Sequence, residues 1–228
     1  MRTALFFQDG NFVGREYYQY LTCSGLAPDF LVAVGQFKSH QIEYEQERTG
    51  GGWNPNRLPK DIKIIRFDKL SDPGVLKLII DQKIDVIIQG GVGLINNDII
   101  RAVRIGIINV HPGKLPEFRG CSAPEWAIYH NKPVYATAHI IDEGLDTGPV
   151  ILSVEYKVRP GWSYEEFRAN IYRHCAKTLV EALKYIENAT PESIGGLSRI
   201  QDETHAKYWD AIPPKELEVV KGKFVARI

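Results

Sequence analysis

Short apolar runs alternate along this chain with segments whose apolar residues recur at helical spacing, the βα rhythm of a mostly parallel sheet. The runs predict strands over Thr3 to Phe7, Phe30 to Gly35, Ile62 to Phe67, Asp85 to Gln89 and Ile105 to Ile108. Helical spacing predicts helices from Gly14 to Ser24, Pro73 to Gln82 and Asn96 to Val103 between them. A short helix over Ala123 to His130 follows, then strands at Tyr135 to Asp142 and Pro149 to Val158. The longest helix opens at Ser163-Tyr164-Glu165-Glu166, a capping-box signature, and runs to about Asn188. Tyr164, Phe167, Ile171, Leu179, Ala182, Leu183 and Ile186 form one stripe on it, suited to packing on a sheet.

Two stretches break the rhythm. Gln36 to Pro59 is polar and ends near Gly50-Gly51-Gly52, which predicts a mobile excursion, part helix and part loop. From Gly195 onward two short strands are predicted, Leu197 to Gln201 and Lys223 to Arg227, around Pro213-Pro214, as a hairpin or a homodimer contact. The expected organisation is a domain over 1–190 with a short extension over 191–228.

Composition narrows the function. The 228 residues carry 28 Lys plus Arg against 28 Asp plus Glu, so no charge footprint for an extended nucleic-acid partner is present. Cys23, Cys121 and Cys175 are too few and too scattered for a disulfide framework or a zinc cluster, and the histidines lack metal-ligand spacing, so no metal is expected. The amino terminus lacks signal-peptide anatomy and no run approaches a membrane span, which makes the cytoplasm the expected compartment.

The chemistry concentrates in Asn109-Val110-His111-Pro112-Gly113-Lys114-Leu115-Pro116 and, farther on, Asp142-Glu143-Gly144-Leu145-Asp146-Thr147-Gly148. At i and i+2 of an extended strand, Asn109 and His111 leave the same face, at the carboxyl end where open α/β sheets hold ligands. An amide donor, an imidazole and a carboxylate on a Gly-flanked turn together suit acyl transfer to an amine. Separately, the three read as a strand cap, a turn residue and an Asx turn. Gly90-Gly91-Val92-Gly93 lacks the Lys-Ser/Thr of a P-loop and reads as a backbone wall for a flat ring or a simple tight turn. His139, on the strand face of Thr137 and Ile141, reads as a structural hydrogen-bonder.

The stretch from Ile107 to Gly120, followed by Thr137 to Pro149, closely resembles the folate-dependent formyltransferases, with an Asn, a His two residues later, a Leu-Pro, a Gly and an Asp in a Glu-Gly-x-Asp-x-Gly turn, all in order. The resemblance implies the family's Rossmann-like α/β fold, with Asn109, His111 and Asp146 as the catalytic set. It implies N10-formyltetrahydrofolate as donor, held by Gln89, Gly90, Gly91, Val92 and Leu94 together with Asp142 and Gly144. Phe118-Arg119-Gly120 and Pro124-Glu125-Trp126 look most like the nucleotide-sugar N-formyltransferases, which implies an amino-sugar nucleotide as acceptor, with Gly10, Asn11 and Trp126 toward it. Gln8 to Gly14 does not match the phosphate loop of the glycinamide ribonucleotide enzymes. Hydrolysis of the donor is the competing reaction for the same catalytic set.

Overall fold

The computed structural model describes residues 1–52, 58 and 62–225. Its first half runs β1 (Thr3–Asp9), α1 (Phe12–Cys23), β2 (Phe30–Gln36), α2 (Ser39–Arg48), β3 (Ile64–Phe67), α3 (Pro73–Asp81), β4 (Val86–Gln89), α4 (Asn97–Ala102) and β5 (Gly106–His111). Next come β6 (Arg119–Gly120), α5 (Ala123–Tyr129), β7 (Val134–Ile140), β8 (Val150–Tyr156), α6 (Tyr164–Tyr185), β9 (Tyr208–Trp209) and α7 (Pro214–Val225). The expected mostly parallel sheet with flanking helices is present: seven strands in the order β3-β2-β1-β4-β5-β7-β8. β1 to β5 pair in parallel, and β7 runs antiparallel to both β5 and β8.

Side-chain alternation divides the core between the two faces of the sheet. Leu5, Ile88, Ile108, Val110, Ala136 and Ala138 face α1 and α6, whose Tyr17, Leu21, Leu179 and Leu183 cover them. On the other face Ala4, Phe6, Val32, Ile87 and Ile107 meet Val75 and Ile79 of α3 and Ile99 of α4. Parity therefore places Asn109, His111, Thr137 and His139 on the α3/α4 face, on β5 and β7. The turn after β7 and the tail come to this part of the sheet.

The strand order reverses at β1, with β2 on one side and β4 on the other, and the loops leaving β1 and β4 meet at this switch point. The Gly90 N–H donates to the Phe6 carbonyl (2.7 Å), and Asn11 Nδ2 donates to the Gly91 carbonyl (3.1 Å) while its Oδ1 caps α1 through the Val13 N–H. A Cβ on Gly90 would lie 2.9 Å from the Phe6 carbonyl oxygen and 3.2 Å from the Gly14 Cα, so this close approach requires glycine.

The tail differs from the sequence expectation. Lys223 belongs to α7, not to a strand; Leu217, Val220 and Phe224 recur at helical spacing and pack against α5 and α6, and Pro214 sits at the first helical position, where its missing N–H costs nothing. Lys223 Nζ donates to the Ile128 and Tyr129 carbonyls, closing the end of α5. Of Leu197 to Gln201, Arg199 alone pairs as an isolated bridge, exchanging two hydrogen bonds with Val150, after a 3-10 turn over Ile194–Leu197. The excursion from Gln36 to Pro59 contains α2; its residues 53–57 and 59, with 60–61 after it and 226–228 at the other end, lie outside the described residues. Ser163 caps α6 with the expected capping box, its hydroxyl accepting from the Glu166 N–H and the Glu166 carboxylate accepting from the Ser163 N–H. Among the described residues no helix is long and apolar enough to cross a membrane.

Candidate active site

Asn109 and His111 leave β5 on one face, opposite His139 and Thr137 of β7 in antiparallel register. Asn109 Nδ2 donates to His139 Nε2 at 3.1 Å. An amide nitrogen only donates, so His139 Nε2 accepts and the ring proton sits on Nδ1, 3.3 Å from the Ile140 carbonyl. Burial away from water lowers the His139 pKa to about 4, against the opposing pull of Asp146. The same Nε2 lies 3.7 Å from Asp146 Oδ1, and a neutral ring makes no hydrogen bond to that oxygen. Asn109 keeps a second N–H for another acceptor.

His111 is engaged at both nitrogens. The Phe118 carbonyl, which can only accept, lies 2.6 Å from Nε2, and Asp146 Oδ2 lies 3.4 Å from Nδ1. Gly113 makes room for this: a Cβ there would be 2.8 Å from Nε2 and 2.9 Å from the Phe118 carbonyl oxygen. Thr137 ties the loop down by donating to the Gly113 carbonyl. The ring therefore stands against the carboxylate through Nδ1 and against the loop through Nε2.

Asp146 stands on the turn between β7 and β8 with φ at +54°, a left-handed backbone that Asp tolerates better than most residues. Its Oδ2 also accepts the Gly120 N–H at 2.9 Å. Inside the turn the Asp142 carboxylate accepts from the Gly144 N–H and the Thr147 hydroxyl. Among the described residues no hydrogen bond reaches Asp146 Oδ1, which leaves that oxygen to take a proton. Asn109, His111, His139 and Asp146 thus form one polar cluster, its two histidines buried and its amide donor and carboxylate partly exposed and chemically free.

The other sequence-predicted residues fall in three places. Gln89 folds over its own loop, accepting from the Gly91 N–H and donating to the Gly93 carbonyl, so Gly90 to Gly93 is held in shape by the protein, with Val92 buried and Leu94 82% exposed. Gly10 (φ +86°) and Asn11 lie on the neighbouring loop at the switch point. Trp126 is elsewhere: it packs on Trp209 with ring centres 4.7 Å apart and donates to the Asp210 carbonyl, joining α5 to the tail. Among the described residues no cluster of His, Cys, Asp or Glu suits a metal ion.

His139 is the structural hydrogen-bonder that its strand face suggests, whereas the sequence gives Phe118, Gly120 and Gln201 no role beside His111 and Asp146. The parity of His139 with Thr137 across from Asn109 was a usable signal. Gln201 carried none, because its partners lie more than fifty positions away in the chain.

The neutral state of His139 predicts a pH effect on stability. The unfolded ring protonates near pH 6.5 and the folded one near pH 4, so falling pH favours the unfolded chain between those values, and the contribution flattens below about pH 4. Urea midpoints measured from about pH 7 to about pH 4 are expected to fall, and to fall less steeply in His139→Gln. Equal slopes in the two proteins would show that the ring binds protons alike in the folded and the unfolded chain.

A family model described as formyl transferase matches residues 46–183. A curated methionyl-tRNA formyltransferase from Deinococcus radiodurans is 34% identical over 111 residues, covering 48% of this chain and 33% of that protein. The chain spans less than half the length of the curated relatives it matches. A sugar N-formyltransferase structure from Shewanella sp. FDAARGOS_354 superposes with a TM-score of 0.60 at 13% identity, over 96% of this chain and 86% of that one. The formyltransferase PseJ from Anoxybacillus kamchatkensis, in complex with UDP-4,6-dideoxy-4-formamido-L-AltNAc and tetrahydrofolate, gives 0.52 at 20% identity, over 78% and 84%. At such identities the structural likenesses establish the fold. The family match spans β5, the loop after it and the Asp146 turn, and with the ordered Asn, His and Asp meeting in space the chain belongs to the formyl transferase family.

Proposed function

We propose that this protein transfers a formyl group from N10-formyltetrahydrofolate to the amine of a nucleotide-linked amino sugar. The observation that carries formyl transfer is the meeting of Asn109, His111 and Asp146, with Asp146 Oδ2 3.4 Å from His111 and Asn109 oriented by His139. The amine nitrogen attacks the formyl carbon, and the free N–H of Asn109 stabilises the oxyanion that develops. Asp146 Oδ1 takes the proton the amine loses, while His111, fixed by the Phe118 carbonyl, keeps the carboxylate in place. The bond from carbon to N10 then breaks, and the proton passes to the departing nitrogen, releasing tetrahydrofolate and the formamide. The loop over Gln89 to Leu94 and the turn over Asp142 to Gly144 are the proposed pterin walls, and Gly10 and Asn11 the neighbouring acceptor wall.

The sugar acceptor is supported by the balanced charge of 28 against 28 and by the UDP-sugar bound to the PseJ enzyme. A second reading, methionyl-tRNA, has the curated Deinococcus relative in its favour. The deciding experiment incubates the protein and N10-formyltetrahydrofolate with a panel of UDP- and dTDP-linked amino sugars, glycinamide ribonucleotide, methionyl-tRNA, or no acceptor. The expected result is a formyl mass gain on an amino-sugar nucleotide. Gain on methionyl-tRNA alone replaces the sugar reading, and acceptor-independent formate release replaces transfer with hydrolysis.

A further inference from the structure

We infer that Gln201 is a positioning residue for Asp146, holding the catalytic turn from a tail segment that lies outside the family-matched residues 46–183. The inference rests on the reading of Asp146 as the proton acceptor. Gln201 is buried, and its Nε2 donates to two carbonyls of the turn, those of Asp146 (2.9 Å) and Gly148 (2.7 Å). Its Oε1 accepts from Nε (3.2 Å) and Nη2 (2.9 Å) of Arg119. Arg119 in turn forks the Glu203 carboxylate, through Nη2 at 2.6 Å and Nη1 at 2.9 Å, and reaches the Tyr208 hydroxyl.

A guanidinium has five N–H donors, and these contacts occupy all of them, so Arg119 has none left for a substrate phosphate. It is almost wholly buried, where a charge persists only if paired and hydrogen-bonded. The residue after it, Gly120, places the one N–H on the Asp146 carboxylate, and β6 is held by β9 in parallel pairing. Arg119 and Gln201 therefore couple both restraints on Asp146: the backbone hold on its turn and the donor on its side chain. Without the Gln201 bridge, the left-handed turn keeps its internal Asp142 bonds and its base at Ile140 and Pro149 but loses the tie from its Asp146 and Gly148 carbonyls to Arg119, and the carboxylate drifts from His111.

The test uses Gln201→Met, which keeps the stem and removes both hydrogen-bonding ends, and Gln201→Asn, which is too short to bridge, in the full chain. Amide hydrogen exchange by NMR reads the Gly120 N–H, and turnover is measured with N10-formyltetrahydrofolate and the best acceptor of the panel. In both folded variants Gly120 exchange is expected to rise at least about tenfold while β5 amides stay protected. Turnover is expected to drop by about a hundredfold with the acceptor KM changed little, as for a misplaced catalytic group. Wild-type Gly120 protection, or turnover within about twofold of wild type, in either folded variant overturns the inference. If the wild type formylates no acceptor, the proposed function is what has failed, and Gly120 exchange alone decides whether Gln201 holds the turn.

Discussion

Asn109→Ala is expected to lower turnover by about a hundredfold or more, the usual loss for one preorganised oxyanion donor. Stability falls far less, by about 1 kcal/mol, from His139 Nε2 losing its donor. Asn109→Asp is the sharper comparison, because it preserves shape while replacing the donor with a second carboxylate beside Asp146 and presenting His139 Nε2 with an acceptor. It is expected to be no more active than Asn109→Ala, with KM for the formyl donor close to wild type in the alanine variant. Steady-state kinetics on the accepted substrate check this, and turnover of Asn109→Ala within about twofold of wild type removes Asn109 from the mechanism.

The largest structural effect is expected at Gly148. A Cβ built there lies 1.7 Å from the Ile140 carbonyl oxygen and 3.2 Å from the Asp142 nitrogen, both backbone atoms that no rotamer change can move aside. The close approach lets the Ile140 N–H donate to the Pro149 carbonyl and closes the base of the turn that carries Asp146. Gly148→Ala is expected to cost about 3 kcal/mol, the upper end for overpacking, and to abolish turnover at temperatures where the chain remains folded. Gly195→Ala, where a Cβ meets open space, is the control, with an expected change within about 0.5 kcal/mol. Urea denaturation of the three proteins measures both; equal stability of Gly148→Ala and wild type would contradict the packing at the turn.

What the sequence disclosed follows from the range of each interaction. Period-two and helical spacing are local, so the strands bearing Asn109 and His111 and the stripe of α6 were legible. Asp146 was legible because a Gly-flanked turn between two strands announces itself in composition. The tail was not, because Lys223 to Arg227 is a short apolar run between two charges that reads like a strand, and its helical face emerges only when Leu217 and Val220 are counted with Phe224. β6 and β9 have two residues each, too few for any period, and their pairing spans about ninety positions. Trp126 illustrates the limit for a single residue: an aromatic beside a catalytic loop reads alike whether it faces a ligand or, as here, Trp209.

The pairing of β6 with β9 also bears on when competence arises during synthesis. A chain leaving the ribosome releases Asn109, His111 and Asp146 long before Gln201, Glu203 and Tyr208. The nascent polypeptide can therefore assemble most of its sheet while Arg119 still lacks its partners. Activity in a coupled translation assay should lag the appearance of the first protease-resistant fragment, because the segment that seats the carboxylate is made after the strands of the sheet.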